Sequence, residues 1–192
     1  QTTLGTDKPG NTSAFITKIN TSGTALMYST YLGGDYAEEG RGITVDQASN
    51  VYVTGWTTSC NFPTTSNAYR SECQRSRRSG CGTGCSGGFC PEGFLAKLDP
   101  RGSTLIYSTY FGECGSTIPY DIAIDGGGQA YVTGAYTGSS SYNQKDAFVI
   151  KFNAYGSSTS YFSYIRTSDN EEGRAIAVSS EGYAYVTGTT DS

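Results

Sequence analysis

Ala130-Tyr131-Val132-Thr133-Gly134 decides the fold, because its core recurs as Tyr52-Val53-Thr54-Gly55 and Tyr185-Val186-Thr187-Gly188. A short apolar run and a turn precede each copy: Gly42-Ile43-Thr44-Val45-Asp46, Asp121-Ile122-Ala123-Ile124-Asp125 and Arg174-Ala175-Ile176-Ala177-Val178. Two further segments keep step. Phe15-Ile16-Thr17-Lys18, Phe94-Leu95-Ala96-Lys97 and Phe148-Val149-Ile150-Lys151 form one set. Tyr28-Ser29-Thr30-Tyr31, Tyr107-Ser108-Thr109-Tyr110 and Tyr161-Phe162-Ser163-Tyr164 form the other. Every set is offset by 79 residues and then by 54. A fixed order of short motifs at fixed offsets is the signature of a repeat architecture.

The motifs alternate in character along their length and are rich in Tyr, Thr and Val, which favour a pleated, half-buried surface over a helix. Strands are predicted near 13–20, 25–32, 104–111 and 159–165, with the Ile-x-Val and Tyr-Val-Thr-Gly strands between them. Asn20-Thr21-Ser22-Gly23, Asp99-Pro100-Arg101-Gly102 and Asn153-Ala154-Tyr155-Gly156 join the Phe and Tyr strands. An Asx first and a Gly fourth suit a type I turn that closes in the left-handed region. No segment has a 3.6-residue period, so the fold class is all-β. Four short antiparallel strands in about 50 residues make a unit the size of a propeller blade.

The charge balance narrows the partners. Thirteen Lys and Arg against 17 Asp and Glu give a net charge of −4, which is no footprint for nucleic acid. No run approaches the roughly 18 apolar residues that a membrane-spanning helix needs. If the protein is secreted, Gln1 opens a mature or trimmed chain.

The extra 25 residues of the first offset hold a Cys-rich insertion at about 59–91. Cys60, Cys73, Cys81, Cys85 and Cys90 lie there, and Cys114 follows the second Tyr-Ser-Thr-Tyr segment. Without His and without a C-x2-C pair, disulfides in an oxidising compartment are a better reading than a metal site. Each would contribute about 2–4 kcal/mol to a stretch too polar to order itself; their pairing stays open. An insertion between two strands of a blade is expected to project from a rim and leave the sheet intact. Arg70, Arg75, Arg77 and Arg78 read as a solvated loop, with an anionic glycan or another subunit's acidic face as the alternative partner.

The ordered set Gly-Arg-x-Ile-x-Val, turn, Tyr-Val-Thr-Gly, Phe-x-x-Lys and Tyr-Ser-Thr-Tyr-(Leu/Phe)-Gly resembles the SBBP-type bacterial and archaeal β-propeller repeats. The likeness covers nearly everything outside residues 1–12 and the insertion. It implies a surface or secreted protein with propeller blades and carries no catalytic residue. Glu39-Gly40-Arg41 and Glu172-Gly173-Arg174 fit the pattern, whereas the middle unit has Ile118-Pro119-Tyr120. The domain reading is a polar segment at 1–12 and a repeat array at 13–192, with repeats at about 13–92, 93–145 and 146–192.

In such folds the Ile-x-Val strand is innermost. On that phase the chain holds two full blades, with the third and fourth strands of a blade before them and a first and second strand after them. The two ends are complementary half-blades. Phe15, Ile16, Thr17 and Lys18 on one side and Tyr185, Val186, Thr187 and Gly188 on the other are the candidate assembly edges. A head-to-tail contact that does not close generates a filament, and one that closes with a second copy gives a six-bladed ring.

Catalytic chemistry finds little support in the residues. With no His, His-based triads fall away. Gly84-Cys85-Ser86-Gly87-Gly88 and the Gly82–Gly87 spacing match a nucleophile elbow and a dinucleotide fingerprint only in letters, since neither sits between a strand and a helix. Glu38, Glu39, Glu171 and Glu172 are better read as ion-pair partners of Arg41 and Arg174 than as a hydrolytic pair. Asp46 and Asp125 are read as turn stabilisers. Lys18, Lys97 and Lys151 share one register, as a binding ring or beside carboxylates, and the Tyr pairs are read as blade packing. Asn11 and Asn20 head N-glycosylation sequons. The function expected is a non-catalytic extracellular structural protein, with other copies of itself as partners and no cofactor, metal or nucleic acid. The alternative is a propeller binding or adhesion module within a larger surface protein, with glycans as the candidate ligand.

Overall fold

The computed structural model describes residues 2–5, 12–74, 90–138 and 144–191. Thirteen strands are described: β1 (Thr2–Gly5), β2 (Ala14–Ile19), β3 (Leu26–Gly33), β4 (Glu38–Val45), β5 (Val51–Thr57), β6 (Glu92–Leu98), β7 (Leu105–Phe111), β8 (Gly115–Ile124), β9 (Ala130–Gly138), β10 (Lys145–Phe152), β11 (Thr159–Ile165), β12 (Glu171–Val178) and β13 (Ala184–Thr190). They form four sheets. β4-β5-β6-β7 and β8-β9-β10-β11 are complete four-stranded blades, and β12-β13 is a two-stranded half. At the other end β2 and β3 pair antiparallel as the complementary half. The fold is all-β, with blades stacked in series and, among the described residues, no closed sheet.

Turn chemistry sets the hairpins. Gly23, Gly102 and Gly156 adopt φ of 73°, 64° and 64°, where a side chain is strained and Gly is not. Asx side chains brace the same turns: Asn20 accepts from the amides of Thr24 and Ala25, and Asp99 accepts from those of Ser103 and Thr104.

Three clusters of apolar side chains lie between successive sheets. Ala14, Ile16 and Leu32 of the first half-blade meet Val53, Phe94, Ala96 and Leu98 of the first blade. Leu95, Tyr52, Tyr107 and Phe111 on that blade's other face meet Ile122, Val132, Phe148 and Ile150 of the second. Tyr131 and Val149 then meet Ile176 of the C-terminal half-blade. Because neighbours cover both faces, the third strand of a complete blade reads as a continuous apolar run.

The structure adds to one expectation and corrects another. Within 1–12, Thr2–Gly5 is a strand that pairs parallel with β3, from Thr2↔Thr30 to Gly5↔Gly33. This pairing is main-chain work on an open edge, so the side chains carried no signal of it. The described part of the insertion does more than project from a rim. Cys60 and Cys73 are bonded, and Phe62 is buried against Phe94 with ring centroids 4.6 Å apart. The Phe62 amide donates to the Tyr110 hydroxyl, which donates to the Ser59 carbonyl. Thr65 and Arg70 exchange main-chain hydrogen bonds with Ser108 and Tyr110 of β7, so this segment covers the blade's outer edge.

Phe94→Ala is predicted to lose about 3–5 kcal/mol of stability, the usual cost of emptying a filled aromatic site. Urea unfolding followed by near-ultraviolet circular dichroism checks this.

Candidate assembly site at the two open half-blades

The blades repeat one construction at their centres. Thr54 Oγ1 donates to the Phe94 carbonyl at 2.7 Å, and Thr133 Oγ1 donates to the Phe148 carbonyl at the same distance. Lys97 Nζ stands 4.6 Å over the Tyr52 ring, and Lys151 Nζ stands 4.6 Å over the Tyr131 ring. In the first blade Asp46 completes the group, 3.1 Å from Lys97 Nζ. Burial pushes the Asp46 carboxyl up, but hydrogen bonds from Asn50 and Lys97 outweigh it and bring it down to about 2. For Lys97, burial acts downward, yet Tyr52 and Asp46 hold its ammonium above the ordinary value.

The half-blades carry the same residues without their partners. Phe15 is 68% exposed, whereas its counterparts Phe94 and Phe148 are 0% exposed. Tyr185 is 62% exposed against 0% for Tyr52 and Tyr131. Ile43 is 58% exposed against 4% for Ile122 and 8% for Ile176. Ile19, the counterpart of Leu98 and Phe152, is also exposed. Lys18 lies in the open, with no ring or carboxylate beside it among the described residues. An apolar groove runs along β2, lined by Phe15, Thr17, Ile19, Gly40, Ile43 and Val53.

Of the edge residues read from the sequence, Ile16 is the exception. It is 2% exposed and already part of the core with the first blade. The other residues fall on two separate sheets, β2 and β13, that the chain does not bring together. Exposed Ile43 was missed by the sequence reading. Its signal was available, since it shares the register of Ile122 and Ile176.

The acidic residues divide by role. Glu39 pairs with Arg41 at 2.8 Å, and Glu172 pairs with Arg174 and Lys145. Glu38, fully buried, instead accepts from Thr57 Oγ1 and Ser59 Oγ. Glu171 accepts from Thr167 and Thr190 hydroxyls. Arg41 and Arg174 flank the Tyr120 ring at 5.4 and 4.5 Å. That sandwich gives a physical reason for the middle repeat's departure: three cations in a row would repel, and a ring between two is attractive.

Arg70 contradicts both sequence readings, the solvated loop and the glycan or subunit contact. It is buried, pairs with Glu92 at 2.6 Å and donates to the Gly112 carbonyl at 2.9 Å. Arg75, Arg77, Arg78, Cys81, Cys85, Asn11 and the Gly-rich matches around Ser86 lie outside the described residues. Cys90 and Cys114 are disulfide-bonded. The Asn20 side chain is engaged in its own turn, with Nδ2 donating to Thr24 Oγ1. Among the described residues no group of His, Cys, Asp and Glu is placed to hold a metal.

The SBBP beta-propeller repeat family matches this chain at residues 28–63 and 159–192. These two stretches run from β3 into β4 and β5 and from β11 into β12 and β13, so the match spans the joint between one sheet and the next. No curated protein matches the chain.

The lowered Asp46 carboxyl makes a pH prediction. A folded value of about 2, below the ordinary 3.8, contributes stability above pH 4 that is lost as pH falls through 2. Asp46→Asn is predicted to be less stable at pH 6 and to show a shallower loss of stability between pH 4 and pH 2, measured by urea midpoints across that range.

Proposed function

We propose that this chain is a non-catalytic structural module that assembles head to tail through its half-blades, outside the cell, into a filament or a ring. A chain of β-propeller repeats is a binding or structural module. The observation that carries the structural reading is Phe15: this residue type is fully buried in both complete blades and two-thirds exposed in the half-blade. Contiguous apolar surface on a sheet edge is a hazard unless something covers it, and the other end of the same chain presents the missing strands.

Support for an extracellular setting comes from the bonded Cys60, Cys73, Cys90 and Cys114, since disulfides persist in oxidising compartments. Among the described residues no helix is long and apolar enough to cross a membrane. Asn11 is then the sequon where a glycan would attach, since the Asn20 side chain is engaged in its own turn.

The alternative reading, a binding or adhesion module inside a larger surface protein, gives the open half-blades to further repeats of one polypeptide. Mass measurement separates the two. Light scattering on the purified 192-residue chain is predicted to give masses at multiples of 20.3 kDa that grow with concentration. Phe15→Ser is predicted to shift the population to single chains with its unfolding midpoint unchanged. A wild-type chain that stays single at every concentration overturns the reading.

A further inference from the structure

The two complete blades supply a template for the contact between the half-blades. Between second and third strands, Gly55↔Phe94, Thr54↔Leu95 and Tyr52↔Lys97 pair in the first blade. Gly134↔Phe148, Thr133↔Val149 and Tyr131↔Lys151 pair in the second. A third set exists, divided between β13 and β2, and two of its members, Tyr185 and Lys18, are both exposed. Resting on the head-to-tail reading above, we propose that β13 of one copy enters the groove beside β2 of a second copy in the register Gly188↔Phe15, Thr187↔Ile16, Val186↔Thr17 and Tyr185↔Lys18.

In that register Thr187 Oγ1 faces the Phe15 carbonyl, as Thr54 and Thr133 face theirs. The Lys18 ammonium comes over the Tyr185 ring and completes the third cation–ring pair. Phe15 and Ile19 turn toward the second blade of the copy that donates β13. Tyr185 packs toward Ile43 of the copy that receives it, as Tyr131 packs toward Ile176.

Two contacts away from the pairing edge lead to the same partner. Gly102 sits on the Tyr28 ring and Gly156 on the Tyr107 ring, each too close to admit a Cβ. Gly23, the counterpart in the first hairpin, has nothing within 4 Å. Tyr161, the counterpart ring, is 36% exposed at the other end of the chain. Docking seats Gly23 of one copy on Tyr161 of the other. Likewise the Tyr52 hydroxyl lies beside Gly128 and the Tyr131 hydroxyl beside Gly182. Their counterparts are Tyr185 and Ser49, the latter at φ 64° where Gly128 and Gly182 have 78° and 85°. A second copy of this chain supplies the edge, the hairpin and the turn at once. The junction also brings Arg174 near Arg41 of the next copy. Each has its own carboxylate, Glu172 and Glu39, so neither cation stands unneutralised there.

The register is tested with two double variants, Lys18→Cys/Tyr185→Cys and Lys18→Cys/Thr187→Cys, oxidised and run without reductant beside the wild type. All three positions lie outside the buried core. Residues directly opposite in an antiparallel pair are within disulfide reach, and those displaced by two are not. The first variant is expected to give covalent oligomers, stopping at the dimer for a ring or continuing as a ladder for a filament. The second is expected to give none above the wild-type background. A ladder from the second variant and none from the first, with light scattering still showing assembly, overturns the register. Single chains in scattering and no cross-link from either variant overturn the head-to-tail reading together with it.

Discussion

A third strand in this architecture must be buried on both faces. Phe94, Leu95, Ala96 and Leu98 alternate across the sheet, yet all four are fully buried. That is possible only when one blade lies before theirs and another after it. The constraint explains why the repeat writes an apolar run at this position rather than an alternating strand. It also makes a half-blade incomplete in a definite way. β2 has its inner face closed by the first blade through Ala14 and Ile16 and its other face open through Phe15 and Ile19. Burying a large apolar side chain is worth about 1.5–3 kcal/mol. In the proposed junction Phe15, Ile19, Ile43 and Tyr185 together would offer several kcal/mol. Association itself costs about 4–15 kcal/mol, so apolar burial alone would not secure that joint. Main-chain pairing and the Thr, Lys and Gly contacts of the repeat would have to supply the rest.

The outer edges show a second solution to the same problem. β3 is covered by the parallel strand β1, and β7 by the segment that Cys60 and Cys73 close. In both places backbone donors and acceptors find partners that the blade itself does not provide. The inner strands bulge at Arg41, Tyr120 and Arg174, where the register shifts. The bulge turns those side chains onto one line, which is why a Tyr between two Arg is stable there.

Much of this was legible in the sequence, for a physical reason. Blade strands have a strict period, their hairpins demand Asx and Gly at fixed places, and three copies let each position be checked against two others. Counting gave the repeat, and the resemblance, in which the Ile-x-Val strand is innermost, gave the phase of the blades and so the half-blades. What escaped had no periodic partner. Thr2-Thr3-Leu4-Gly5 pairs through its backbone and shows no alternation. Phe62 is an aromatic among polar neighbours, and only contact with Phe94 and Tyr110 makes it core. Arg70 looked solvated because its partners, Glu92 and the Gly112 carbonyl, lie far along the chain. The split of the acidic residues into ion-paired Glu39 and Glu172 and hydroxyl-bound Glu38 and Glu171 depends on which face each strand turns to the neighbouring sheet.

Amide hydrogen exchange across β2 and β13, followed as a function of protein concentration, tests the central claim most directly. The account predicts that the amides of β2 and β13 facing the open edge exchange quickly in dilute solution. They become as slow as those of β6 and β10 once scattering shows assembly, while the amides of the complete blades do not change. Assembly with β2 and β13 still exchanging at their dilute rates would contradict it.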